Sequence, residues 1–381
     1  MGEAQAADWR WPAAGSRPPL FAVPVGVKDV ISADGLQTRA GSGLPPEILA
    51  GPEATVVQRL RAAGALVAGK TVTAEFAMTA PGPTRNPHDR RHTPGGSSSG
   101  SAAAVAAGLV PLALGTQTLA SVIRPAAYCG VAGYRATHGR IPVDGVIAYA
   151  PSLDTVGCLA PDAGALATAA AVLCDGWQPG APPGSAPVLG IPAGAYLQQV
   201  SPHALAAFRS QVTGLAAAGL TIREIPAPAD PAEIGSLLHI ITRYEAAQVH
   251  AGWFAEHAGR YQHATAQAIR EGQLLARRDY DSARRQQARF RADLAAVMQR
   301  EGIDAWVTPA ATGPAPAGLR STGSPVMSMP WSLAGCPAVS LPAGRAGLLP
   351  LGLQFVAAPG RDEQLLHWAA VFERALAEQR G

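Results

Sequence analysis

Lysine is nearly missing from this chain. Of thirty basic side chains only Lys28 and Lys70 are lysine, and the other twenty-eight are arginine. Where arginine serves almost everywhere, a retained lysine points to something a guanidinium cannot do. A buried amine can give up its proton near neutral pH, whereas a guanidinium stays charged. Lys28 lies in Pro24-Val-Gly-Val-Lys28-Asp29, so a simple pairing with Asp29 is the competing explanation. Cysteine is scarce too. Cys129, Cys158, Cys174 and Cys336 show no CxxC and no paired histidine spacing, which excludes a disulfide frame or a metal site and leaves four small buried residues of a reduced compartment. Charged residues make up 15% of the chain and the net charge is +3, with no long basic run. The arginine pairs at 90–91, 277–278 and 284–285 therefore read as solvated faces and not as a nucleic-acid footprint. No apolar run reaches the length of a membrane span, and the N-terminus lacks the basic-then-apolar pattern of a secretory signal. The expectation is a cytoplasmic protein that partners neither nucleic acid nor membrane.

What is present fits a large, loop-rich enzyme. Nearly half of the 381 residues are apolar, and 42 glycines and 34 prolines are spread along the chain. Residues 1–19 read as a flexible Pro/Ala arm. Leu20–Val30 reads as a strand, Glu53–Ala63 as a helix capped by Gly64, and Ala65–Ala68 as a short buried strand. A polar loop over Thr84–Ser101 leads into a helix at Ala102–Ala107. Val110–Thr116 is a further strand, and Thr118–Arg124 a tight connection. Residues 178–187 are the best linker candidate, with a strand at Val188–Ile191 continuing the same sheet. Pro202–Ala218 and the whole of Ala264–Arg300 read as helices. Short strands at Ala305–Thr308, Ala338–Leu341 and Leu351–Val356 precede a last helix, Glu363–Glu378. Alternating strands and helices predict an α/β fold.

Two familiar motifs match by letter and fail by context. Gly64-Ala-Leu-Val-Ala-Gly69-Lys70-Thr71 fits the phosphate-loop pattern, but a helix precedes it and its middle residues form an apolar strand. Strand N–H groups are spent on a sheet and cannot cradle phosphate. Gly96-Ser97-Ser98-Ser99-Gly100 fits the nucleophile elbow, but the segment feeding it, Arg85 to Pro94, is polar and proline-bounded instead of a buried strand. His239, His250 and His263 leave a Ser-His-Asp arrangement open.

A third arrangement joins three separated segments: Lys28, Ser97 in Thr93-Pro-Gly-Gly-Ser97-Ser-Ser-Gly, and Ser121 in Gly115-Thr-Gln-Thr-Leu-Ala-Ser121-Val-Ile-Arg. A serine in a tight turn after a buried strand, among unpaired N–H groups, is a plausible nucleophile with its own oxyanion hole. On these segments, and on Gly69-Lys-Thr-Val-Thr-Ala-Glu-Phe76, Pro151-Ser-Leu-Asp-Thr-Val-Gly157 and Pro330-Trp-Ser-Leu-Ala-Gly-Cys-Pro337, the chain resembles the amidase signature family of serine amidohydrolases from Pro19 onward. The resemblance implies a single α/β catalytic domain over residues 20–381, a large mixed twisted sheet sandwiched between helices. It implies Ser121 as nucleophile, Lys28 as base, and Ser97, after a cis peptide bond, as the bridge between them. The backbone N–H groups of Thr118, Leu119, Ala120 and Ser121 would hold the oxyanion, with Ser98 and Ser99 bracing the network. The pocket would draw on Met78, Tyr128 and Asp154, and Trp253, Tyr280 and Trp331 are aromatic candidates for pocket or core. No metal and no organic cofactor is implied. The substrate would be a small amide, and the protein a homodimer or one member of a complex.

Four departures accompany the resemblance. Gln117 stands where the family usually has aspartate, so one structural carboxylate is missing. Leu119-Ala120 replaces the usual glycine pair, which would strain the turn wherever positive φ is required. Arg124 sits three residues after Ser121 instead of two, and one branch of the family shares this and the glutamine. Only some twenty residues precede the lysine strand, where the family usually carries a helical segment. Leu119 and the short N-terminus motivate one alternative, a weakened amidase-like scaffold or partner subunit, and the resemblance itself implies another, a glutaminase-type subunit that delivers ammonia.

Overall fold

The computed structural model describes residues 15, 17–178, 186–227 and 229–378. Most of the expected N-terminal arm and most of the 178–187 linker candidate lie outside them.

Ten strands form one mixed sheet in the order β2-β1-β3-β5-β4-β9-β10-β8-β6-β7. In chain order they are β1 (Pro24–Lys28), β2 (Leu66–Thr71), β3 (Leu112–Gln117), β4 (Ala132–Arg135), β5 (Thr155–Ala160), β6 (Val188–Ala193), β7 (Thr221–Pro226), β8 (Ala305–Pro309), β9 (Ala338–Ala346) and β10 (Leu349–Ala357). Pairing is parallel toward both edges, β2-β1-β3 and β8-β6-β7, and antiparallel through the middle. β3, β4, β5 and β8 are buried along their whole length, as strands covered on both faces must be.

Strand alternation divides the core into two layers. Ala305 and Val307 of β8 and Phe355 and Ala357 of β10 enter one apolar cluster, while Trp306 and Val356 between them enter the other. The first layer takes helices α1 (Thr55–Ala62), α4 (Ala163–Leu173) and α12 (Asp362–Glu378). The second takes α3 (Ile123–Cys129), α7 (Pro231–Val249), α10 (Arg277–Glu301) and α11 (Met329–Ala334). The remaining helices are α2 (Ser99–Ala106), α5 (Ala195–Gln198), α6 (Pro202–Ala217), α8 (Ala251–His257) and α9 (His263–Gln273). Among the described residues, no helix is long and apolar enough to cross a membrane.

Several expectations change. The strand predicted over Leu20–Val30 shrinks to Pro24–Lys28, because the chain before it turns through Ala22 at φ 59°. The helix predicted over Ala264–Arg300 breaks at residues 274–276 into α9 and α10, leaving Leu274 exposed. Close packing explains the break. A Cβ on Gly272 would lie 1.9 Å from the Arg243 carbonyl oxygen, so α9 ends pressed against α7. The helix expected from Ala102 begins at Ser99, inside the serine loop. β2 runs through Gly69, Lys70 and Thr71, so the phosphate-loop match is strand.

Candidate active site

The ends of β1 and β3 meet the serine loop, and the contact between them is a lysine. Lys28 is fully buried at the end of β1. Its Nζ lies 2.8 Å from Ser97 Oγ, 2.7 Å from Thr116 Oγ1 and 3.3 Å from the Thr116 carbonyl oxygen. All three partners are uncharged, and burial therefore lowers the Lys28 pKa well below its ordinary value, against a weaker opposing pull from Asp154. A neutral amine has two N–H donors and one lone pair. The carbonyl can only accept, which leaves one donor and the lone pair for the two hydroxyls. The site can thus let the Ser97 hydroxyl donate to Nζ. The pairing with Asp29 does not form: Asp29 meets Lys70 at 3.3 Å on the other side of the strand.

Ser97 follows a cis peptide bond from Gly96, and its carbonyl accepts from the Ala74 N–H at 3.0 Å. The next serines fasten the loop to the sheet. Ser98 Oγ donates to the Thr116 carbonyl at 3.2 Å and accepts the Thr116 N–H, while Ser98 N–H reaches the Ser121 carbonyl at 3.2 Å. Ser99 Oγ donates to the Val72 carbonyl of the turn after β2. Ser121 stands in the turn between β3 and α3. At 7% exposure it has more solvent access than Ser97 at 1% or Lys28 at 0%.

That turn presents free donors. Among the described residues, the N–H groups of Thr118, Leu119, Ala120 and Ser121 have no hydrogen-bond partner, whereas those of Val122 and Ile123 both donate to Gln117 Oε1, at 2.9 and 3.0 Å. The glutamine amide thus does the accepting expected of the missing carboxylate, at the N-terminus of α3. The anticipated strain is absent as well. Among the described residues, the positive-φ residues other than glycine are Ala22, Ala40, Phe76 and Ala77, so Leu119 and Ala120 take backbone angles open to any side chain.

Other site candidates fall into different places. Asp154 is half-buried, with Oδ1 accepting from Thr118 Oγ1 at 2.5 Å and Oδ2 from the Tyr149 and Ala150 N–H groups at 2.7 and 2.9 Å. Its carboxylate holds the turn. Burial raises its pKa to about 6 in spite of those bonds. Met78 is buried after the two left-handed residues Phe76 and Ala77. Tyr128 is buried in α3 against two positive-φ glycines, Gly95 and Gly323. A Cβ on Gly323 would lie 2.5 Å from its hydroxyl, so that position requires glycine. Trp331 is core, Trp253 stacks on Phe76, and the Tyr280 hydroxyl donates to Glu245. Of the histidines left open, His250 is buried beside Tyr261 and Phe76, with its pKa lowered to about 4 by burial. Among the described residues, no histidine hydrogen-bonds Ser97 or Ser121.

Two participants, Thr116 and Ser332, were not singled out in the sequence, and a third, Arg124, was noted there only for its displaced position. Thr116 shares Lys28 with Ser97. Arg124, buried with its pKa lowered to about 10, donates to the Gly96 carbonyl at 2.6 Å and to Thr322 Oγ1 and the Gly323 carbonyl, tying the serine loop to α3. Ser332 of α11 donates to the Leu119 carbonyl at 2.6 Å. Only the Pro330-Trp-Ser-Leu phrase could have pointed to it.

Known proteins resemble this chain along almost its whole length. The chain is 34% identical to a component of the glutamyl-tRNA(Gln) amidotransferase of Symbiobacterium thermophilum, over 93% of its own length and 83% of the relative's. Against the corresponding component in Thermus thermophilus it is 35% identical, over 94% and 86%. An amidase crystal structure superposes with a TM-score of 0.90 at 30% identity, covering 98% of this chain and 89% of the other. The Amidase family model matches residues 2–366, and the chain belongs to the Amidase family.

Proposed function

We propose that the chain is an amidohydrolase that cleaves the C–N bond of a small amide through an acyl-enzyme on Ser121. The observation that carries this reading is the buried, carboxylate-free contact of Lys28 with Ser97 at 2.8 Å. A neutral Lys28 takes the Ser97 proton as Ser97 takes that of Ser121, and Ser121 Oγ attacks the carbonyl carbon. The unpaired N–H groups at 118–121 face the oxygen that gains charge. As the tetrahedral intermediate collapses, the C–N bond breaks and the amine departs with the proton returned through Ser97. Water then enters by the same relay and releases the acid. Four free, buried cysteines fit the reduced, cytoplasmic setting expected from their spacing.

A second reading is favoured by the relatives' names. Two of them are amidotransferase subunits, so the same site could release ammonia from a glutamine-like amide inside a complex. A bare scaffold is disfavoured, because Lys28, Ser97 and Ser121 are all kept.

Intact-protein mass spectrometry after exposure to a fluorophosphonate tests the site. One adduct on the wild type and none on Ser121→Ala is expected. A folded wild type that stays unlabelled overturns the hydrolase reading. A small-amide screen on the labelled protein then separates a free-standing amidase from one that turns over only with its partner.

A further inference from the structure

We infer that Ser332 and Gln117 form a matched pair of positioning residues that sets the direction of the Ala120 N–H in the oxyanion turn. The inference rests on the amidohydrolase reading above.

In a trans peptide unit the carbonyl and the following N–H point in opposite directions within one plane. Fixing a carbonyl therefore aims the next residue's N–H. The turn after β3 uses this at successive units. The Ala120 carbonyl accepts from the Arg124 N–H at 3.0 Å, which aims the Ser121 N–H. The Leu119 carbonyl has a side-chain partner instead, Ser332 Oγ at 2.6 Å, and that bond aims the Ala120 N–H. With Leu119-Ala120 in place of glycines the turn has ordinary backbone angles, so side-chain bonds are what hold this plane.

Ser332 has a single proton, and Gln117 decides where it goes. Gln117 Oε1 accepts the Val122 and Ile123 N–H groups, which identifies its other terminal atom as nitrogen. That Nε2 donates to Ser332 Oγ at 3.2 Å, occupying a lone pair and leaving the hydroxyl proton for Leu119. A carboxylate at 117 could still accept the two N–H groups, but it would offer Ser332 an acceptor and draw that proton away from Leu119. Glutamine and serine thus work as a set. Ser332 is itself anchored: the Leu333 carbonyl accepts from Gln287 Nε2 at 3.0 Å, the Ala334 carbonyl from Arg291 Nε at 2.7 Å, and the Cys336 carbonyl from Arg135. All three hold the end of α11 that carries Ser332.

The test is the inactivation rate of Ser121 by phenylmethanesulfonyl fluoride, whose sulfonyl oxygens occupy the place of the oxyanion, resolved into kinact and KI. Ser332→Ala is expected to lower kinact on the order of 10- to 100-fold with KI within about threefold. Ser332→Thr, which keeps the hydroxyl, is expected to recover most of the rate. Gln117→Glu, of equal length, is expected to lower kinact as Ser332→Ala does, and melting temperature checks that each variant is folded. A wild-type kinact in Ser332→Ala overturns the inference. So does equal loss in Ser332→Thr and Ser332→Ala, because packing and not the hydroxyl would then be responsible. If Ser332→Ala fails to fold, an unchanged kinact in folded Gln117→Glu overturns the inference, and a lowered one supports it. A wild type that phenylmethanesulfonyl fluoride leaves unmodified at Ser121 defeats the amidohydrolase reading, an outcome distinct from these.

Discussion

The two lysines stand at or near the ends of neighbouring strands of one sheet and enter opposite environments. Lys70 in β2 pairs across the sheet with Val27, so Lys28, the next residue of β1, projects from the other face. On the Lys70 side the amine meets Asp29 at 3.3 Å, Thr38 Oγ1 at 3.0 Å and the Ile31 carbonyl. Burial and the carboxylate act against each other there, and the Lys70 pKa is lowered less far. On the Lys28 side hydroxyls and a carbonyl replace the carboxylate, and nothing in contact offsets desolvation. Burial alone therefore does not make a lysine a base. Burial without a carboxylate in contact is what lowers the Lys28 pKa far enough for the base role proposed above.

The sharpest way to break this contrast is Lys28→Arg. A permanent cation cannot accept the Ser97 proton, and turnover should fall by about 1,000-fold or more while far-UV circular dichroism stays native. Activity near the wild-type level would remove Lys28 from the chemistry. A smaller, graded effect is expected from pH. Protonated Lys28 cannot accept, so the rate of Ser121 labelling should rise as pH climbs through the depressed lysine pKa and be lost as pH falls below it. A rate that began to rise only near 10.5 would mean that burial leaves this amine unperturbed. The least effect belongs to Lys70→Arg. The guanidinium can still pair with Asp29, so labelling should stay within about threefold while stability drops by about 1 kcal/mol from the crowded pocket, read as a lower melting temperature. A large loss of labelling would mean that the two faces are coupled.

The residues of the candidate site could be named before the structure because each carries its chemistry locally. Lys28, Ser97 and Ser121 sit in short phrases whose order survives in one dimension, and strand-then-turn contexts sufficed to set aside the phosphate loop and the nucleophile elbow. The misjudged positions are those whose meaning depends on a distant partner. Asp154 was read only as a pocket residue, and its bond from Thr118, 36 positions away, was not foreseen. Gln117 looked like a lost carboxylate and is satisfied by its own turn and by Ser332, 215 positions away. Leu119 raised the prospect of strain, yet its backbone angles are ordinary. The break between α9 and α10 was hidden because the polar pattern runs on through it, and only the approach of Gly272 to α7 decides it.

By itself, then, the sequence determined which groups could react: a lysine kept among arginines, serines in two turns, and an α/β alternation able to bury them. It could not determine their protonation or aim. Those depend on which strands lie side by side, because desolvation, the lack of a contacting carboxylate at Lys28 and the hydrogen bonds that orient the peptide planes at 118–121 all come from residues tens to hundreds of positions away.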